Sequence, residues 1–255
     1  MNIAVFDTET AGVKTQTLLN VGYQIVCVNP QTLAYTALCK RDYLVRDVFN
    51  NKLFMLNDKF VGAEKYEQFE ENLVRGGTIL RSVKQIFAQM ASDFARYKIE
   101  AAYAYNSDFD VDKFSTTANL YGEPNPLDGI PVFDLWGMAF NFICDAEYQK
   151  WCVENEMLTE SKRFWKTSVE SVTAYLTNNP SFIEEHTALS DTEWELKILI
   201  ECLKRGANPF GNYAHGFLPS GYVFKKTLLI NGKPIEISYT KMSGKFDKDA
   251  VIEFT

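Results

Sequence analysis

The chain has 255 residues, of which 46% are hydrophobic and 23% are charged, as is typical of a soluble globular protein. Its net charge of -7 argues against a protein that coats a nucleic-acid duplex by neutralising phosphates, but it allows an enzyme that grips a strand end through bound metal ions. No apolar run is long enough to span a membrane, and no secretory signal is recognisable. The five cysteines form no CxxC pair, so we expect reduced thiols in a cytoplasmic protein rather than a zinc site.

The first part of the chain predicts the antiparallel start of a sheet. A short apolar run of β-forming residues begins at Ile3, and two longer β segments are predicted over residues 18–28 and 33–44. The residues between these two segments, 29–32, have the composition of a turn. Residues 49–62 show no clean period, so no element is predicted there.

The middle of the chain predicts helices and a short strand. A charged helix is expected over residues 63–74, and Thr78 is expected to cap a second helix whose apolar face extends to Phe94. We expect that apolar face to lie on the sheet. A buried strand over residues 100–105 follows, and then a helix over 111–121.

The second half of the chain predicts one more strand, several helices and a distinct C-terminal region. The expected elements are a strand over 132–134, one or two helices over 135–157, a helix from Ser168 to about Leu176, and an amphipathic helix from Ala188 to Arg205. Residues 207–255 differ in character, because β segments over 224–230 and 233–239 flank the hairpin turn Asn231-Gly232. We therefore expect one domain over residues 1–206 and a small β-rich extension over 207–255.

Acidic residues stand near the ends of several predicted elements. Asp7 and Glu9 are two positions apart on the first strand, so their carboxylates share a face, and a hard divalent cation would relieve their repulsion. Taken alone, this pair is equally typical of a strand that ends in solvent. Asp110 begins a helix, and Asp191 lies on the apolar stripe of the late helix, where a lone carboxylate is costly to bury without a partner or a metal.

Four carboxylates that converge at a sheet edge can hold two divalent cations about 3.5–4 Å apart, the arrangement used for in-line phosphoryl displacement. His186 lies five residues before Asp191, in the segment that leads into the late helix. It is placed to take the proton from an attacking water. The pattern therefore predicts metal-assisted phosphoryl displacement by an activated water.

Three motifs resemble those of the DEDDh group of the DnaQ-like 3′–5′ exonucleases, and they occur in the family's order over residues 1–206. They are Phe6-Asp7-Thr8-Glu9-Thr10-Ala11-Gly12 for F-D-x-E-T-x-G, Tyr105-Asn106-Ser107-Asp108-Phe109-Asp110 for H-N-A-x-F-D, and His186-Thr187-Ala188-Leu189-Ser190-Asp191 for H-x-x-x-x-D. The resemblance implies an RNase H-like α/β fold, a mixed sheet with flanking helices. It also implies two Mg²⁺ or Mn²⁺ ions and hydrolysis of a nucleic-acid strand from its 3′ end.

The resemblance also implies a role for individual residues. By position in the motifs, the metal ligands would be Asp7, Glu9, Asp110 and Asp191, the general base His186, and the residues near substrate Thr10 and Asn106. A turn or capping role suits Thr10 and Asn106 equally well. Tyr105 and Ser107 depart from the family's His and Ala, at positions that do not bind metal. Asp108 competes with Asp110 for the metal role, and we favour Asp110 because the family's ligand follows the aromatic residue.

We expect a metal-dependent 3′–5′ exonuclease that releases nucleoside monophosphates from single-stranded ends, with DNA favoured and a role in DNA repair, replication or end trimming. An exoribonuclease that trims RNA 3′ ends would carry the same motifs. A catalytically idle module that binds nucleic acid or protein is an alternative from another class, and the complete set of motif residues argues against it. Residues 207–255 are a candidate surface for a protein partner or for self-association through an exposed strand edge.

Overall fold

The computed structural model describes residues 1–12, 17–59, 61–159 and 164–213, together with the backbone of the strands at 224–230, 233–239 and 252–253. The chain divides into two compact units. One comprises Met1–Phe133 and Glu184–Lys197, and the other comprises Asp134–Ile183 and Ile198–Thr255. The boundary expected after residue 206 is a different division, and it stays a prediction.

The main sheet has six strands of mixed direction. They are β1 (Asn2–Ala11), β2 (Thr17–Val28), β3 (Tyr35–Val45), β4 (Ile79–Arg81), β5 (Ala101–Ala104) and β6 (Val132–Asp134). The spatial order is β4-β3-β2-β1-β5-β6. β2 is antiparallel to both of its neighbours, β1 and β3, whereas β5 runs parallel to β1 and β4 runs parallel to β3. This architecture confirms the RNase H-like α/β fold, including the antiparallel start.

Helices occur in both units. Those described are α1 (Arg46–Phe49), α2 (Lys52–Asn57), α3 (Gly62–Arg75), α4 (Val83–Tyr97), α5 (Ser107–Tyr121), α6 (Leu135–Phe142), α7 (Ala146–Glu154), α8 (Val169–Leu176) and α9 (Ala188–Lys204). The helices predicted from periodicity are confirmed, with ends that shift by a few residues. The short α2 falls in the stretch without a clean period, and α1 ends where that stretch begins; neither was predicted, because one or two turns are too brief to show a period.

The core of the first unit packs α4 and α5 against the sheet. The Phe114 ring of α5 meets the Phe6 ring of β1 edge-on at 5.7 Å between centroids, and it stacks on Phe87 of α4 at 5.6 Å. Tyr23 of β2 meets Phe94 at 5.9 Å. Aromatic contacts of this kind contribute about 0.5–1.5 kcal/mol each beyond the burial of apolar area. They fix α5 on β1, which matters for the site below.

The predicted helix cap at Thr78 is wrong. Residues Ile79–Arg81 form β4, which pairs with β3, and Ser82 caps α4 instead. The Ser82 hydroxyl accepts a hydrogen bond from the Gln85 N–H, and the Gln85 side chain accepts one from the Ser82 N–H, which completes a capping box. Thr78 is buried and donates its hydroxyl to Asp42. The long-range pairing of β4 with β3 therefore determines that the helix is capped by Ser82 and not by Thr78.

The C-terminal residues form a separate small sheet. Its strands are β7 (Phe224–Ile230), β8 (Lys233–Tyr239) and β9 (Ile252–Glu253), in the order β8-β7-β9. The antiparallel pairing of β7 with β8 agrees with the predicted hairpin, whose Asn231-Gly232 turn lies outside the described residues. None of the helices in the described part of the chain is long and apolar enough to cross a bilayer.

Candidate active site

β1 carries Asp7 and Glu9 past the end of its neighbour β5. β5 pairs with β1 only from Ile3 to Val5, whereas β2 continues to pair with β1 as far as Ala11. Asp7 and Glu9 lie on this overhang, and both are partly exposed. Because side chains alternate along a strand, the two carboxylates share one face, as predicted from their spacing.

α5 brings a third carboxylate against β1. Asp110 is 2% exposed and lies one turn before Phe114, whose ring packs on Phe6. The Thr8 hydroxyl donates a 2.6 Å hydrogen bond to Oδ1 of Asp110. The nearby Asp108 is exposed, so of these two aspartates it is Asp110 that the fold places beside the strand.

The start of α9 is anchored on β2. The side-chain oxygen of Asn20 accepts a 2.8 Å hydrogen bond from the Ala188 N–H, and the Gln24 amide donates to the Thr192 carbonyl at 2.6 Å. Gly22 lies between these two contacts, and a Cβ there would stand 2.2 Å from the Ala188 carbonyl carbon. Only glycine permits this approach. The anchor therefore sets the position of the first turn of α9, which carries the last predicted carboxylate.

Glu9, His186 and Asp191 meet across the sheet edge. One potential ligand atom from each lies within 4.8 Å of the others. Asp191 is 7% exposed, whereas His186 is exposed to solvent. His186 adopts a backbone φ of 52°, in the left-handed region where His, Asn and Asp are enriched among residues other than glycine. The fold thus joins the first and third motifs in one cluster.

Burial, together with the charges of neighbouring carboxylates, raises the pKa of three of the predicted ligands, Asp7, Asp110 and Asp191. Burial raises the pKa of Asp7 well above its usual value, and the charges of the other three raise it further, although part of the residue is accessible to solvent. Burial raises the pKa of Asp110 to about 7 and that of Asp191 to about 8. Without a cation, protons therefore compensate much of this charge near neutral pH.

Three residues that the sequence did not indicate join the site. Thr8 donates to Asp110 as described, Nζ of Lys65 lies 2.7 Å from Oε2 of Glu9, and Glu195 is 1% exposed and interacts electrostatically with Asp7 and Asp110. Glu195 follows Asp191 by four residues, so it lies on the same helix face. The helical spacing that pointed to Asp191 is therefore a signal by which Glu195 could also have been found. No sequence signal marks Lys65, because its contact depends on where α3 lies in the fold.

The donor set fits a hard divalent cation. Oδ1 of Asp191 and Oε2 of Glu195 are buried, and neither has a hydrogen-bond partner among the described residues. A buried carboxylate needs such a partner or a compensating charge. Carboxylate oxygens are the ligands that Mg²⁺ and Mn²⁺ prefer. The geometry therefore suits the predicted metals.

The two residues predicted near substrate lie beside these carboxylates in sequence. Thr10 is partly exposed, next to a register shift in the pairing of β1 with β2. Asn106 is exposed and occupies the N-cap position of α5 at a φ of 64°, but its side chain makes no capping hydrogen bond. The carboxylate of Asp58 fixes the end of the first motif by accepting a 2.7 Å hydrogen bond from the Gly12 N–H. The substrate roles of Thr10 and Asn106 stay predictions.

In EDTA, the free energy of unfolding is expected to fall as pH rises from about 5 to about 8. Burial raises the pKa of Asp110 to about 7 and that of Asp191 to about 8, so the folded chain keeps protons that the unfolded chain has lost. This stabilisation is complete below the unfolded pKa and is lost as pH rises through the folded values. Each group contributes up to about 1.4 kcal/mol per pH unit. Urea unfolding followed by circular dichroism at each pH measures the slope.

Two variants on α5 control this measurement. Asp110→Asn should flatten the slope, whereas Asp112→Asn should not, because the Asp112 side chain is 63% exposed and pairs with Lys113. Excess Mn²⁺ should oppose the wild-type slope, since metal binds the deprotonated carboxylates. A wild-type stability in EDTA that is independent of pH across this range would contradict the assignment.

Comparison with known proteins finds relatives only in structure: no family model and no curated protein matches the chain. The nuclease domain of 3′hExo, described as a DEDDh family member bound to rAMP, aligns with a TM-score of 0.53 at 11% identity, over 80% of this chain and 92% of that domain. A 3′-exonuclease described in its 3′-end specific recognition of a histone mRNA stem-loop aligns with a TM-score of 0.53 at 10% identity, over 93% of this chain and 90% of that one. The chain therefore has the fold of DEDDh-family 3′-exonuclease domains.

Proposed function

We propose that the chain is a metal-dependent 3′–5′ exonuclease that hydrolyses single-stranded nucleic-acid ends and releases nucleoside monophosphates. The observation that carries this proposal is the cluster of Glu9, His186 and Asp191 beside Asp7 and Asp110. Buried carboxylate oxygens that have no hydrogen-bond partner among the described residues support a cation there. The fold shared with DEDDh-family exonuclease domains supports the reaction class.

In this proposal, the carboxylates of β1, α5 and α9 hold two divalent ions, Mg²⁺ or Mn²⁺. Bound ions of this kind activate water and stabilise the leaving oxygen of an in-line displacement. His186 takes the proton of the attacking water at a ring nitrogen, and its exposure lets that proton pass to solvent. Lys65 neutralises part of the charge of Glu9.

The substrate class has two candidates. Single-stranded DNA is our first choice, with proofreading, repair or end trimming as the role. An RNA 3′ end is the second, favoured by the two structural neighbours, which are described with rAMP and with a histone mRNA stem-loop. Thr10 and Asn106 would contact the terminal nucleotide in either case. The role of residues 207–255 in binding a partner, or in self-association, also stays a proposal.

Digestion of matched single-stranded DNA and RNA, each labelled at the 3′ or the 5′ end, tests the proposal. We expect 5′-labelled strands to shorten stepwise in Mg²⁺ or Mn²⁺ and to stay intact in EDTA. The 3′ label should appear at once in a mononucleotide, because cleavage starts at that end. The ratio of DNA to RNA rates selects the substrate class. Binding of either strand without hydrolysis in any metal would favour the idle module instead.

A further inference from the structure

Glu195 is an acidic residue of α9 that none of the three motifs includes. It is 1% exposed, one helical turn after Asp191. Its Oε1 accepts a 3.3 Å hydrogen bond from the backbone N–H of Tyr105, the residue that follows β5. Its Oε2 is buried and has no hydrogen-bond partner among the described residues. One oxygen is thus held in place, and the other is left available.

The surroundings of Glu195 are anionic. Its nearest charges include Asp7, Asp110 and Asp191, and all three disfavour a further negative charge. Glu195 makes no ion pair with any lysine or arginine in the described part of the chain. Lys65, whose Nζ lies in this site, pairs with Glu9 instead. A buried carboxylate with one unsatisfied oxygen among like charges is costly unless a cation joins it.

We propose that Glu195 is a fifth carboxylate of the metal centre, whose Oε2 would help to hold a bound divalent cation. The inference rests on the proposed metal-dependent function, and it adds a ligand that the motifs do not contain. A purely structural role needs only the hydrogen bond from Tyr105, which a neutral side chain accepts equally well. The unpartnered oxygen and the neighbouring carboxylates are explained by an ion and by no described contact.

Glu195→Gln separates these two roles. The glutamine keeps the size of the side chain and an oxygen that accepts from the Tyr105 N–H, but it removes the charge. Isothermal titration calorimetry with Mn²⁺ should show an affinity about 10–100-fold weaker than that of the wild type, the usual effect of losing a residue that supports a metal site. Glu193→Gln is the matched control, because Glu193 lies on the same helix, is about half exposed and pairs with Lys40. Its Mn²⁺ affinity should match the wild type.

Stability in EDTA gives a second readout. Glu195→Gln should be at least as stable as the wild type, because the amide is neutral without taking up a proton, whereas a structural carboxylate would leave the variant less stable. If Glu195→Gln does not fold, Glu195→Asp is the second variant. It keeps the carboxylate, but its side chain is one methylene shorter, so its Mn²⁺ affinity should also be lower than that of the wild type. Wild-type affinity in the folded variant, or a wild-type protein that binds no Mn²⁺, would overturn the inference. A wild type that binds Mn²⁺ through Glu195 yet digests no labelled strand would refute only the proposed function.

Discussion

Asp7→Asn is expected to lower the rate of 3′-end hydrolysis at saturating Mg²⁺ by about a thousandfold or more, because each tenfold loss corresponds to 1.36 kcal/mol and a bound metal supplies several kcal/mol of transition-state stabilisation. Asp7 is the carboxylate whose pKa is raised both by burial and by all three of its predicted fellow ligands. A bound cation would therefore offset more unfavourable electrostatic interactions at Asp7 than at a carboxylate with fewer charged neighbours. Single-turnover digestion of a 5′-labelled strand measures the loss.

Measurements of stability and of metal binding test whether the lower hydrolysis rate of Asp7→Asn comes from the metal site and not from a disturbed fold. Asparagine has nearly the size of aspartate and carries no charge, so Asp7→Asn should fold and should be at least as stable as the wild type in EDTA. Its Mn²⁺ affinity should fall together with the rate. Asp108→Asn is the matched control, since Asp108 is exposed in the first turn of α5, and its rate should stay near that of the wild type. Hydrolysis at the wild-type rate by Asp7→Asn would remove the first motif from the mechanism.

His186→Asn is expected to lower the same rate by roughly 10²–10⁴-fold while leaving Mn²⁺ affinity nearly unchanged, as the loss of a general base does. Asparagine suits this position because the backbone φ of 52° lies in the left-handed region, which asparagine tolerates better than alanine. The chain has one other histidine, His215, and His215→Asn serves as the control. Its rate should equal that of the wild type.

The pairing of rate with affinity decides the role of His186. A ring nitrogen of His186 lies within 4.8 Å of oxygens from Glu9 and Asp191, a separation that also suits a metal ligand. If the Mn²⁺ affinity of His186→Asn falls as far as its rate, His186 binds the ion and another group takes the proton. If neither changes, His186 has no part in the reaction.

Local sequence patterns predicted most of the elements but not every boundary. The strands β1–β3 and the long helices carry patterns of apolar residues that run through most of each element, and apart from the start of α4 their predicted bounds lie within a few residues of the observed ones. The start of α4 was predicted wrongly because Thr78 and Ser82 are both good caps. Ile79–Arg81 pair with β3 as a strand, so the helix cannot begin at Thr78. That pairing is between segments distant in sequence, so the local residue pattern around Thr78 does not reveal it.

The sequence by itself indicated the fold class, through the resemblance of its three motifs to the DEDDh family. It also indicated which short segments carry the candidate chemistry, because a strand that ends in D-x-E and a helix with an inward aspartate are local features. The tertiary structure alone decided what meets at the sheet edge. The parallel pairing of β5 with β1 leaves Asp7 and Glu9 on an overhang, and Gly22 lets α9 approach β2. Lys65 and the contacts of Glu195 enter the site through packing between elements distant in sequence. Such contacts depend on the geometry of the folded backbone, which residue spacing along one segment does not encode.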